Sequence, residues 1–229
     1  MELYTERLYL RPWREEDAEA LYPLARDPDV GPPAGWMPHT SVENSRQIIR
    51  TVLSAPTVFA VCKREDGMPI GSIGLHKNDL ACHDDEYELG YWIGKPYWGQ
   101  GMIPEASLEV LRYAFEDLGM ARIWCGHYDG NVKSRRVQEK LGFVFHHTTE
   151  GIEITALNQI RKGHVMLMTR ERWEELCWCK YLGRCIDKGM CYDMQMIAMG
   201  CIKPSALAEI DIDKVLLNEV CKCCPNKIR

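Results

Sequence analysis

A chain of 229 residues, 46% apolar and 27% charged, is long enough to bury a core and reads as one soluble globular domain with a modest appendage. Its net charge of −5, without a basic run, argues against a nucleic-acid partner, and no apolar stretch approaches membrane-spanning length. The opening MELYTERLYLRPW carries charge too early for a secretory leader, so the expected location is the cytoplasm.

Thr5 to Trp13 alternates apolar and polar residues, as a half-buried strand does. Arg14-Glu15-Glu16-Asp17 then places acids in the first turn of a helix whose buried face is Ala18, Leu21 and Ala25. Asp27 to His39 holds four prolines and two glycines and must be a loop. A helix from about Val42 to Leu53 follows, capped by Thr40 or Ser41. Thr57 to Lys63 and Met68 to His76 form a predicted hairpin around Asp66-Gly67, and Lys77 to Asp85 is polar and loop-like.

Glu86 to Phe143 is the informative block. A short apolar strand, Tyr87 to Ile93, runs into the turn Trp98-Gly99-Gln100-Gly101, which opens onto a helix with Leu108, Leu111, Phe115 and Leu118 at helical spacing. A strand that hands a glycine turn to a helix N-terminus aims free backbone N–H groups at one spot, and the helix dipole favours an anion there. A second strand (Ala121 to Tyr128) and a second helix (Val132 to Leu141), begun by Asn131, come next. Phe143 to Thr148 and Ile160 to Thr169 read as a closing pair of strands, with Thr149 to Gln159 as the connection.

This block resembles the GCN5-related N-acetyltransferase (GNAT) superfamily, in its RimJ/RimL-type branch. The family signature Gln/Arg-x-x-Gly-x-Gly/Ala falls on Trp98-Gly99-Gln100-Gly101-Met102-Ile103, where Ile103 departs from the small residue of the pattern. Asn131-x-x-Ser134 leading to Glu139-Lys140-Leu141-Gly142-Phe143 is similar to the second cofactor motif, and the TERLxLRP…D opening is similar to the Rim-type start. The resemblance spans roughly residues 5 to 170 and implies an α/β (α+β) fold: a mixed, mostly antiparallel sheet with splayed central strands, flanked by helices. It implies acetyl-CoA as co-substrate. The pantetheine arm would lie against the backbone of the central strand at Trp92 and Ile93, and the pyrophosphate against the amides of Trp98, Gly99, Gln100, Gly101, Met102 and Ile103. It gives Asn131 to the pantetheine and Ser134 to the thiol, with Lys95 or Arg135 reaching toward the adenosine phosphates. The acceptor is a primary amine, either a protein N-terminus or a small molecule, and a homodimer is compatible with the reading.

Acetylating an amine from a thioester requires an amine that loses a proton, a stabilised oxyanion and a protonated leaving thiolate. Ser134 is the candidate hydroxyl, or else an ordinary first-turn residue. Glu88, on a largely apolar strand, is the candidate base, because burial raises a carboxyl. It reads equally as a strand glutamate paired with a basic neighbour. Glu86, Glu150 and Glu153 are weaker candidates. By the resemblance, the loop bearing Trp36 forms one wall of the acceptor site, so Trp36 contacts substrate or plugs the loop. Tyr128 either orders the cofactor or belongs to the core.

Residues 171–229 fall outside the pattern of domain 1–170. Arg170 to Cys179, Met190 to Gly200 and Asp213 to Cys221 read as helices, with Lys203-Pro204-Ser205 starting a further turn. Eight of the eleven cysteines lie here, at 177, 179, 185, 191, 201, 221, 223 and 224. With Cys179, Cys185, Cys221 and Cys224 as candidates they could hold zinc or an iron–sulfur centre, or pack as buried reduced thiols. A second class of function follows from this: an acyl-CoA-binding sensor or interaction module that signals through the tail.

Overall fold

The alternating segments of the first half pair in chain order. The computed structural model describes residues 1–207, 209–224 and 226. Leu3–Tyr4 (β1), Leu8–Arg11 (β2), Val58–Lys63 (β3), Pro69–His76 (β4) and Glu86–Ile93 (β5) lie side by side, each antiparallel to the next. Arg122–Tyr128 (β6), Val144–Ile154 (β7) and Gln159–Thr169 (β8) complete an eight-stranded sheet of order β1-β2-β3-β4-β5-β6-β8-β7. Among the described residues, β5 and β6 are the sole parallel neighbours. The hairpin β7–β8 is longer than its sequence suggests. Most of Thr149 to Gln159 is strand, and the turn is confined to Thr155–Leu157 and Asn158, the last at φ 50°.

Helices cover both faces, because each strand's alternation leaves apolar side chains on both. Ala18–Ala25 (α1) and Val42–Thr51 (α2) bring Ala18, Leu21, Ala25 and Ile49 onto Val58, Ala60 and Cys62. Ser41 is the cap of α2, accepting from the Asn44 N–H. Met102–Arg112 (α3) and Val132–Leu141 (α4) cover the opposite face, where Val110, Leu111 and Leu141 meet Phe59, Ile73 and Leu89. A π turn at Tyr113–Asp117 extends α3 and takes Phe115 out of solvent entirely. Burying that ring, worth roughly 1.5–3 kcal/mol, outweighs the poorer hydrogen bonding of a π turn.

The Rim-like opening serves structure. Arg11 donates to both carboxylate oxygens of Asp17 at 2.6 and 2.7 Å, and both residues are more than nine-tenths buried. Thr5 and the backbone N–H and guanidinium of Arg7 donate to Glu105 on α3, while Arg7 also reaches the Gln100 carbonyl at 3.0 Å. The first strands therefore clamp the glycine turn that opens α3.

The tail departs from its predicted outline. Helix α5 covers only Arg170–Glu175, and Leu176–Cys179 (β9) pairs antiparallel with Arg184–Asp187 (β10) as a separate two-stranded sheet. The helix expected to reach Cys179 gives way because Leu176 turns onto α4, against Gly142. Lys188–Ala198 (α6) and Lys214–Lys222 (α7) are helical as read, and Met194, Ile197, Ala198 and Leu217 form a small core of their own. Pro225, next to the last cysteine cluster, lies outside the described residues.

Candidate active site

The parallel contact between β5 and β6 is short. It pairs Glu86 with Arg122, Tyr87 with Ile123 and Glu88 with Trp124, and goes no further. Both strands continue, β5 to Ile93 against β4 and β6 to Tyr128 against β8. The facing edges beyond Glu88 and Trp124 therefore run without a strand partner, and the sheet forks. An unpaired edge carries N–H and C=O groups that can pair with an extended ligand. Ile93 turns its backbone to that edge, whereas alternation turns the Trp92 backbone toward Ser72 on β4, so of the two residues expected to meet the pantetheine only Ile93 is placed to do so. Near the fork the Cys125 thiol donates to the Leu89 carbonyl at 3.2 Å.

Glu88 stands at the point of the fork. Strand alternation puts it on the α1/α2 face with Trp92, and its carboxylate reaches across Gly126, where a Cβ would lie 3.3 Å from Oε1. Burial raises the Glu88 carboxyl above its ordinary range, although the Asn78 amide and the Gly126 N–H donate to it. Glu86 is different. Burial alone would raise it too, but donors from Arg122 at 2.8 Å and the Trp124 indole at 3.1 Å hold it below the usual range. Glu150 pairs with Lys162 at 2.9 Å on an exposed strand, remote from the fork in sequence and register, and Glu153 sits opposite Ile160 in the same hairpin.

Across the fork, on the α3/α4 face, Tyr91 and Ser134 meet with their hydroxyl oxygens 3.1 Å apart. Ser134 is in the first turn of α4, whose N-cap Asn131 accepts from the Ser134 N–H at 3.2 Å. One turn along the helix, the fully buried Gln138 donates to the Ser134 hydroxyl at 3.2 Å and to the Gly126 carbonyl at 2.9 Å, and its Oε1 accepts from His127 at 2.7 Å. Burial pushes the Tyr91 phenol well above its usual value, so it stays protonated. Asn78, Tyr91 and Gln138 were not legible as site residues. The i, i+4 spacing of Ser134 and Gln138 was the available signal.

The mouth of the fork is the glycine turn. Gly99 and Gly101 both take positive φ, 76° and 75°, and a Cβ at Gly99 would meet nothing within 4 Å. Gly101 is the N-cap of α3, and the first-turn N–H groups of that helix have no intrahelical partner. Ile103 sends its side chain into the core, 5% exposed, so its bulk does not fill the turn. Trp98 donates from its indole to the Ile93 carbonyl at 2.9 Å, and Lys133 places its ammonium 3.5 Å from the centre of the Trp98 ring. Lys95 is engaged elsewhere, with Asp29 at 2.5 Å. Arg135 pairs loosely with Glu139 at 3.5 Å and faces a separate cleft of about 400 Å³ beside His127, Phe145 and His164.

The loop between α1 and α2 forms the other wall. Trp36 packs edge-on against Trp92 with ring centres 5.6 Å apart and leans on His39 at 5.5 Å, while remaining partly open to solvent. Gly35 lies under the Tyr128 ring, which Arg161 overlies at 5.2 Å. Arg161 and Asn131 also donate to the Pro32 and Pro33 carbonyls at 2.6 and 3.1 Å. Away from the fork, Cys82, His83 and Glu86 bring ligand atoms within 4.8 Å of one another, but Arg122 and Trp124 already occupy both Glu86 oxygens.

A forked parallel pair, an anion-seeking glycine turn at its mouth, and a carboxylate and hydroxyls on opposite sides of the gap together define an acyltransferase that uses coenzyme A as carrier. Open space over Gly99 and an unpaired β5 edge fit such a carrier. The chain belongs to the GNAT family: residues 7–144 match the acetyltransferase (GNAT) domain. It is an acetyl-CoA-dependent N-acetyltransferase. It is 30% identical over 146 residues to N-acetyltransferase p20 of Bacillus licheniformis, covering 62% of this chain and 81% of that one. It is 40% identical over 79 residues to YdaF of Bacillus subtilis, a protein named for ribosomal N-acetylation, covering 34% of this chain and 42% of that one. A GNAT-family acetyltransferase structure from Bacillus anthracis shares the fold, with a TM-score of 0.67 at 24% identity over 75% of this chain and 99% of that chain. Among the described residues no helix is long and apolar enough to cross a membrane.

Proposed function

We propose that the chain moves an acetyl group from acetyl-CoA to a primary amine by direct attack, with both substrates held in the fork at once. The observation that carries this is the parting of β5 and β6 immediately after Glu88, which puts a raised carboxyl on one side and the Tyr91–Ser134 pair on the other. Glu88, its carboxylate oriented by Asn78, takes a proton from the ammonium, directly or through water. Ser134 donates toward the departing sulfur, and Gln138, by donating to the Ser134 oxygen, turns the hydroxyl hydrogen outward. Backbone N–H groups of residues 99–103 bind the pyrophosphate, the Trp98 N–H being taken by the Lys95 carbonyl, with Lys133 rather than Lys95 as the nearby cation. Holding both reactants supplies much of the rate, so no covalent enzyme intermediate is required. Residues 1–170 form the catalytic domain and 171–229 an appendage.

The acceptor meets the Trp36–Trp92–Tyr128 wall, and the YdaF likeness supports a protein N-terminus, such as that of a ribosomal protein, over a free small amine. The test is CoA release from acetyl-CoA across a panel of N-terminal peptides, polyamines and aminoglycosides. The reading predicts turnover with peptides. Tight acetyl-CoA binding with no CoA release from any amine would replace it with the sensor reading.

A further inference from the structure

The tail cysteines are the feature the acetyltransferase reading does not absorb. The register of β9 with β10 pairs Cys177 with Ile186, Trp178 with Cys185 and Cys179 with Arg184. Alternation therefore puts Cys177 and Cys179 on one face and Cys185 on the other. Cys185 packs toward α4, its Cβ 3.5 Å from where a Cβ on Gly142 would be, which removes it from the ligand candidates read in the sequence.

On the opposite face three segments converge. Cys179 sulfur accepts from the backbone N–H groups of Tyr181 and Leu182. Cys191, on α6, shares a thiol hydrogen bond with Cys177 and accepts from Gln195 at 3.3 Å. The same Gln195 amide reaches the Asn226 carbonyl at 2.9 Å, and the Asn226 amide donates to the Trp178 carbonyl at 3.4 Å, tying Asn226 to α6 and β9. At the end of α7 the Cys224 N–H bonds the Cys221 carbonyl at 3.2 Å, closing a Cys-x-x-Cys turn. Each of Cys179, Cys191, Cys221 and Cys224 lies within electrostatic reach of at least two of the others. Four buried residues are a slender core for such a unit, and units of that size are commonly held by a metal.

We propose that Cys179, Cys191, Cys221 and Cys224 bind one zinc ion as four thiolates, with Cys177 hydrogen-bonded to the Cys191 sulfur behind them. Four soft sulfur donors with no carboxylate or imidazole select a tetrahedral metal of this kind. Among the described residues no three tail sulfurs lie within 4.8 Å of one another, so closing the tetrahedron takes rotamer changes at these cysteines. Binding exchanges four S–H bonds for four S–Zn bonds and releases four protons.

The full-length protein, reconstituted with zinc and freed of excess metal, should carry one zinc per chain by elemental analysis. Cys179→Ser, Cys221→Ser and Cys224→Ser should each retain at least tenfold less, while Cys201→Ser and Cys223→Ser keep the full complement. Because a ligand variant could fail to fold, wild-type protein supplies a second readout. Zinc should protect four thiols from slow alkylation, mapped by mass spectrometry to residues 179, 191, 221 and 224, and a chelator should expose them. Less than a tenth of an equivalent of zinc with no thiol protection would overturn the proposal. So would a coloured iron–sulfur chromophore in freshly purified protein, or equal dependence on Cys201 or Cys223. None of these measurements uses acetyl transfer.

Discussion

Glu88 and Gly126 face each other at the fork, and their chemistry depends on what neither neighbour in sequence supplies. The carboxyl is raised because burial outweighs the donors from Asn78 and Gly126. The sequence put Glu88 on the central strand and left open whether a basic partner would claim it. The basic residue goes to Glu86 instead, two positions earlier on the same face. A base with a raised pKa is protonated over a wider acidic range. The acid limb of kcat/KM should therefore fall at a pH above the ordinary carboxylate range. Glu88→Gln should lose about 10²- to 10⁴-fold in kcat/KM and flatten that limb, with acetyl-CoA binding kept. A pH–rate profile of the two proteins checks both. An unchanged limb in the variant would assign the proton transfer to another group. Asn131 and Ser134 were legible because an N-cap and its first turn are local chemistry. Tyr91 was not, since only the fold brings it to α4.

At the scale of elements, the helices of the first 140 residues were located by their one core-facing stripe, and the strands by short apolar runs between turn residues, since β3 and β4 are buried on both faces. Periodicity misjudged Arg170 to Cys179, where Trp173, Leu176 and Cys177 have helical spacing. Leu-Cys-Trp-Cys also has a strand's alternation, and tertiary packing of Leu176 on Gly142 decides between them. The opening motif yields a sharper expectation. Arg11 and Asp17 hold β2 to the start of α1 through a bidentate ion pair that water hardly reaches. Asp17→Ala strands a buried guanidinium and should cost about 3–5 kcal/mol in denaturant unfolding. Arg11→Met with Asp17→Leu removes both charges and should recover most of that loss. Glu105 plays a looser version of the same part. Burial raises its carboxyl, but donors from Thr5 and Arg7 bring it below the usual range, so the clamp is complete above that range and weakens as pH falls through the depressed value.

Across the whole molecule, the family match ends at residue 144 while the sheet continues to Thr169 and the packing continues beyond it. Trp173 stacks on Phe115 with ring centres 5.6 Å apart, Arg172 donates to the Gly142 carbonyl at 2.6 Å, and Lys180 pairs with Glu6 at 3.1 Å. The appendage was legible as a change in cysteine content. Its docking was not, because apolar spacing in a short segment does not say which partner it covers.

Gly142 ends the helix that carries Ser134, at φ 87°, and any side chain there would collide with Leu176 2.6 Å away. A chain cut after Thr169 would keep every group assigned to acetyl transfer, yet it would bare a greasy facet where Trp173 and Leu176 now sit. Such a fragment should scatter light and precipitate at concentrations where the intact protein stays clear, and replacing the bared residues with polar ones should restore clarity. Trimming this enzyme to its family outline would thus remove a lid from its own hydrophobic interior.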